Sequence, residues 1–191
     1  MDWISGLEIV GTLAAFGALY LAGRQNILNW PAWIISILIY LYIFADAALY
    51  GDAALQVFYL GMTIYGWAQW RRGEATPSKE HPITVCTMPC RIGAILTTAI
   101  VTPAMGWVLS HTRSNVPYWD AFTTTAALVA TYLMARKKID HWIWWIIIDS
   151  VAAAIYVYKG LYVTAFQYAV FVPMAIWGWI QWSQHRRIQS T

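Results

Sequence analysis

Apolar residues in this chain come in blocks, and the blocks set the expected architecture. Seven of them, over residues 4–23, 30–46, 52–70, 91–110, 118–135, 141–158 and 161–182, are near the length needed to cross a bilayer core, ~20 residues for a helix. Polar and apolar residues do not alternate within them as they would in a transmembrane barrel strand. Backbone groups in lipid must be satisfied within the element, so helices are expected throughout. Most connections are short. The exception is 71–90, RRGEATPSKEHPITVCTMPC, which is polar, contains three prolines and reads as a linker between halves.

Composition supports this picture. The chain is 60% hydrophobic and only 11% charged, whereas a soluble domain carries about 25% charged residues. The start, with Asp2 and Glu8, is unlike a cleaved leader, so the first block is expected to remain as a helix. The net charge of +3 is small, and no basic groove with interleaved aromatics points to nucleic acid. Where the charge falls is more informative. Numbering the loops alternately puts Arg24, Arg71, Arg72, Lys79, Arg91, Arg136, Lys137, Lys138, Arg186 and Arg187 on one side, and only Arg113 and Lys159 on the other. The basic side is expected to be cytoplasmic. That places the N-terminus outside and the C-terminus inside, and it requires an odd number of spans.

A shift of 112 residues brings motifs into register without a gap. Tyr20, Leu21, Arg24, Ile27, Trp30, Trp33, Ile34 and Ile35 lie over Tyr132, Leu133, Arg136, Ile139, Trp142, Trp145, Ile146 and Ile147. Leu49-Tyr50 lies over Leu161-Tyr162, and Gly66-Trp67-x-Gln69-Trp70 over Gly178-Trp179-x-Gln181-Trp182. The expectation is a duplicated three-helix unit, with 1–73 as the first repeat, 74–112 as linker and single connecting helix, and 113–191 as the second. Because three helices reverse the chain, the one extra helix makes the repeats parallel, a 3+1+3 plan.

Among candidate chemistry, Asp149 comes first, because it is the one ionisable side chain well inside an expected span. Such residues face a cavity, a partner or a ligand. Trp142, Trp145 and Asp149, spaced i, i+3 and i+7, share a helix face. Two indoles and a carboxylate suit a flat cationic aromatic ligand through stacking, cation–π attraction and charge neutralisation. The matching positions in the first copy are Trp30, Trp33 and Ile37, so any site is asymmetric. Gln56 with Tyr59 and Thr63, and Gln167 with Phe171 and Met174, form two further stripes, which suit either an amide-bearing ligand or bonds between helices. Trp67, Trp70, Trp179 and Trp182, beside paired arginines, read as a cytoplasmic aromatic belt. Asp46 and Asp52 fall at outer helix ends. Cys86 and Cys90 match no common zinc or redox spacing and read as ordinary thiols.

Enzymatic readings find no support. His81, His111, His141 and His185 fall at loops or span ends without metal-ligand spacing. No nucleophile–base arrangement, phosphate loop or cofactor motif is present. No metal and no cofactor is expected. A retinal-binding receptor would need a lysine within the last helix, which has none.

The paired Trp-x-x-Trp steps, the Gly-Trp-x-x-Trp ends and the run Trp142-x-x-Trp145-x-x-x-Asp149 resemble the Pnu family of bacterial vitamin transporters over nearly the whole chain. The resemblance implies an all-α integral membrane fold of SWEET-like type. It also implies a homotrimer in the bacterial inner membrane and facilitated diffusion of a vitamin that a cytosolic kinase then traps by phosphorylation. The expected residue at position 149 in nicotinamide riboside members is Asn, and Asp149 looks more like the thiamine members. Thiamine is therefore the first substrate expected, with nicotinamide riboside as the alternative. A SWEET-type sugar carrier is less well matched by a buried carboxylate. The substrate-binding residues implied are Trp142, Trp145, Asp149, Trp30, Trp33, Gln56, Tyr59, Gln167 and Phe171.

Overall fold

The computed structural model describes residues 3–46, 50–75, 82–112 and 115–189. They form seven α-helices: α1 (Trp3–Gly23), α2 (Asn29–Asp46), α3 (Tyr50–Ala75), α4 (Met88–Leu109), α5 (Pro117–Ala135), α6 (His141–Tyr158) and α7 (Tyr162–Gln189). Lys79, Arg113 and the Asp52 side chain, all used in the reading of the sequence, lie outside the described residues.

The helices follow the apolar blocks, with three shifts at their ends. Helices α3 and α7 run on past their last apolar residues, and their final turns carry Arg72 and the pair Arg186 and Arg187. Cations there complement the partial negative charge of a helix C-terminus. Helix α4 begins within the linker, with Pro89 in its first turn, where a residue lacking an N–H costs nothing. By length and composition, the helical windows 6–23, 29–46, 88–109 and 141–158 are able to cross a membrane. Large apolar side chains such as Leu13, Ile35, Ile100 and Phe166 face outward. A protein solvated by water would not expose so many.

The chain divides into two compact units, Met1–His81 and Pro82–Thr191. In the first, α2 packs against both α1 and α3. A hydroxyl pair, Thr12 and Tyr40, joins α1 to α2 at 2.8 Å. In the second, α4 packs on α5, α5 on α6, and α6 on α7.

Helices α1 and α5 stop in the same way. Gln25 and Lys137 adopt left-handed backbone conformations, with φ of 55° and 49°. Asn26 N–H then donates to Leu21 O and Gln25 N–H to Ala22 O, while Lys138 N–H donates to Leu133 O and Lys137 N–H to Met134 O. Each set is a Schellman closure, which satisfies carbonyls that the helix end would leave open. At the end of α6 the left-handed residue is Gly160, φ 73°, where the absence of a Cβ removes the strain.

The downstream half of the linker is fastened within the second unit. Thr84 N–H donates to Lys137 O at 3.1 Å, and Ile139 N–H donates to Thr84 O at 3.0 Å. Lys138 Nζ donates to Thr84 Oγ1 at 2.9 Å. The Asp140 carboxylate accepts Cys86 N–H at 2.7 Å and Arg91 Nε at 2.9 Å. Ile83 N–H reaches Gln189 Oε1 at the far end of α7. Cys86 and Cys90 are joined as a disulfide, which corrects the reading of two ordinary thiols. Four residues apart across the entry to α4, their Cα atoms are 5.4 Å from one another, inside the range such a bond spans.

Candidate functional site

Each unit contains a node built from a tryptophan, a glycine and a second tryptophan. In the first, Trp30 at the start of α2 is buried against Gly66 of α3, where a Cβ would land inside its ring. Trp70, one helical turn after Gly66, meets Trp30 edge-on, with ring centroids 5.4 Å apart. In the second, Trp142 at the start of α6 is buried against Gly178 of α7, with the same consequence for a Cβ. Trp182 meets it edge-on at 6.0 Å. The glycines are required here by close approach, since only a missing side chain leaves a slot for the indole.

Beside each pinned indole lies one more buried polar residue. Asn29 Nδ2 donates to Asn26 O at 2.7 Å, and His141 Nδ1 lies 2.7 Å from Lys138 O. Both side chains are fully buried. Asn29 Oδ1 and His141 Nε2 are enclosed without a hydrogen-bond partner among the described residues. The His141 ring also packs against Trp142 and, edge-on, Trp182.

One expectation changes as a result. Trp70 and Trp182 are not belt residues: both are buried in the nodes, while Trp67 and Trp179 keep accessible rings. Arg71 lies over the Trp67 ring at 5.9 Å. His141 begins its span, as the sequence places it, and is fully buried there, and Asn29 in the first unit is a matching buried residue that the sequence reading does not single out. The signal was present in the sequence as Gly-x-x-x-Trp, a spacing that puts both residues on one helix face.

Asp149 sits midway along α6 and is 4% exposed. It makes no hydrogen bond or ion pair with the described residues, unlike Asp120, which meets Lys159 Nζ at 3.1 Å, and Asp140. A buried carboxylate without a partner is costly. Trp142, Ile148, Asp149, Ala152 and Ile155 form the buried face of α6. Trp145 borders that face with its ring partly accessible, as Trp33 does in α2. The face shared by Trp142, Trp145 and Asp149 thus has an enclosed indole at one end and a reachable one in the middle.

In α7, Gln167 is half-buried and Phe171 is buried. Phe171 meets Tyr168 edge-on at 5.8 Å, and Tyr168 stacks on Tyr156 of α6 at 5.2 Å with 12° between planes. In α3, Gln56 and Tyr59 are half-buried, and the Tyr59 carbonyl accepts the Thr63 hydroxyl at 2.8 Å. Asp46 is exposed at the end of α2. A separate open cavity of about 350 Å³ lies among α4, α5 and α6, lined by Ile95, Thr98, Ala99, Thr102, Pro103, Phe122 and Trp144. It contains none of the expected binding residues and no charged group.

A family model described as nicotinamide mononucleotide transporter matches residues 5–184. The nicotinamide riboside transporter PnuC of Escherichia coli (strain K12) is 26% identical, with 96% of this chain and 87% of that protein aligned. The riboflavin/roseoflavin transporter RibM of Streptomyces davaonensis is 26% identical over the same shares of the two chains. The crystal structure of the vitamin B3 transporter PnuC shares the fold, with a TM-score of 0.75 at 21% identity over 96% of this chain and 83% of that one.

Proposed function

The chain belongs to the nicotinamide mononucleotide transporter family, the Pnu-type vitamin transporters of the membrane, and from that premise we propose that it carries nicotinamide riboside by facilitated diffusion. The observation that carries the substrate class is Asp149, buried one helical turn from the accessible ring of Trp145 and without a hydrogen-bond or ion-pair partner among the described residues. Nicotinamide riboside has a flat pyridinium ring. A carboxylate neutralises its charge and an indole face stacks on it. In the second unit we assign the cation contact to Asp149, stacking to Trp145 and amide or hydroxyl contacts to Gln167, with Phe171 as an apolar wall. In the first unit we assign contacts of the same kind to Trp33, Gln56 and Tyr59. Trp30 and Trp142 act by holding the helix that bears the accessible ring.

Thiamine remains a second reading, because its thiazolium is also a flat cation and an acidic residue at 149 favours it. The ranking reverses because the named cargoes of the two relatives above are nicotinamide riboside and riboflavin. Riboflavin is neutral and gains less from a buried carboxylate. We further propose a homotrimer in the bacterial inner membrane, N-terminus outside and C-terminus inside, with uptake drawn forward by phosphorylation in the cytosol. The ten-to-two charge asymmetry between loops supports that orientation.

Titration of the purified protein with nicotinamide riboside, thiamine and riboflavin, followed by Trp fluorescence and then by uptake into liposomes, tests the substrate. Nicotinamide riboside is expected to bind tightest and to enter. Tighter binding and faster entry of thiamine would restore the other order.

A further inference from the structure

Helices α3 and α7 each carry a weak point at the same register position, and by different chemistry. Pro173 lies inside α7. It has no N–H for the carbonyl of Ala169, and its ring crowds that carbonyl, so the helix is both short of one bond and predisposed to bend. The position 112 residues earlier is Gly61, inside α3. A Cβ built on Gly61 meets nothing within 4 Å. Packing therefore does not demand glycine there, in contrast to Gly66 five residues later. What glycine does supply is a loosened helix. Gly6 and Gly17 in α1 also stand in open space, but the residues 112 positions later are Tyr118 and Val129, ordinary side chains. Apart from the node glycines Gly66 and Gly178, whose place is set by the indoles they face, only 61 and 173 carry a helix-weakening residue in both members. Two nearby positions are also identical, Met62 and Ile64 matching Met174 and Ile176.

The location is informative. On one side of the weak point lie the nodes, Gly66 with Trp70 and Gly178 with Trp182, where a pinned indole fixes the helix to its neighbour. On the other side lie the residues assigned to the substrate, Gln56 and Tyr59 in α3, Gln167 and Phe171 in α7. In the second unit, that outer part of α7 is held to α6 by the stack of Tyr168 on Tyr156, a contact between flat faces that can slide.

We propose that Gly61 and Pro173 are matched hinges, about which the binding segments of α3 and α7 move against the fixed tryptophan nodes during transport. The inference rests on the transporter reading. Hinges are a few positions that absorb backbone rotation between rigid parts. The nodes supply the rigid part in each unit. Gly61 and Pro173 are positioning residues: they set where Gln56, Tyr59, Gln167 and Phe171 stand, and touch no substrate themselves.

Gly61→Ala and Pro173→Ala test the proposal, singly and together, because each strengthens its helix and Gly61→Ala has room for the added methyl. Two readouts are used: binding of nicotinamide riboside by Trp fluorescence, and its initial uptake rate into liposomes. The double variant is expected to bind within about threefold of the parent while uptake falls about tenfold, since stiffening the helices removes no contact to substrate but slows the conformational step that sets turnover. Uptake at the parental rate would overturn the hinge. If the parent itself neither binds nor takes up nicotinamide riboside, the substrate reading fails, and distances decide the hinge. Spin labels carried on non-canonical residues at positions 158 and 166, both exposed, are expected to give a broad distance distribution that Pro173→Ala narrows. A pair beside the node, at 143 and 180, should give one narrow distribution in both proteins. An unchanged 158–166 distribution would also overturn the proposal.

Discussion

The nodes of the two units can be compared atom by atom, and they differ in an instructive way. Trp30 and Trp142, Gly66 and Gly178, Trp70 and Trp182 occupy matching places with matching contacts. The chain ends of α1 and α5 close with the same hydrogen bonds. What varies is the polar complement. Asn29 stands where His141 does, and Ile37 where Asp149 does. Packing residues tolerate little change, because an indole seated on a bare backbone leaves no spare volume. Polar residues on the same scaffold can diverge without disturbing it. The framework is thus common to both units, while the buried carboxylate of Asp149 has only the apolar Ile37 as its counterpart in the first.

Several substitutions would break or sharpen that comparison. Trp142→Ala and Trp30→Ala should each destabilise their units most, by about 3–5 kcal/mol, the range for removing a large buried aromatic. Thermal unfolding in detergent would show this, and unequal losses would mean that the nodes are not equivalent. Gly178→Val and Gly66→Val should follow, at about 1–3 kcal/mol from overpacking, with Gly61→Val milder than either. Asp149→Ile, which gives the second unit the residue of the first, should weaken nicotinamide riboside binding by about 1.5–3 kcal/mol, the scale of a contact to a charged group. Protein stability should be kept or raised in that variant, because a buried charge is lost. Asp46→Ala in the exposed end of α2 serves as the comparison, and equal effects would remove Asp149 from the site. Smallest is His141→Asn, which copies Asn29. It should retain the bond to the Lys138 carbonyl and cost about 1 kcal/mol through lost ring contact.

Much of this was legible in the sequence. Helix bounds followed the apolar blocks closely, because in lipid a helix must be both long and apolar. The 112-residue register anticipated contacts that recur in both units. The failures share a cause. A tryptophan beside arginines at a helix end is equally suited to an interfacial belt and to a node, so Trp70 and Trp182 could be assigned only once Gly66 and Gly178 were seen to face Trp30 and Trp142. The burial of His141 was not legible because span ends are usually wet, whereas this one is roofed by Trp182. The bond between Cys86 and Cys90 depended on α4 beginning earlier than its apolar block. Substrate ranking turned on a single residue, Asp149, whose charge suits more than one vitamin.

The fastening of Ile83, Thr84 and Cys86 to Gln189, Lys138 and Asp140 has a practical consequence for handling the molecule. Although the connection between units looks uniformly polar and proline-rich, its downstream part behaves as an integral piece of the second unit. A protease site, an affinity tag or a break into two coexpressed fragments therefore belongs upstream of Ile83. The same insertion placed between Thr84 and Cys86 would pull the Asp140 carboxylate away from its backbone donor and uncouple α4 from the turn that precedes α6.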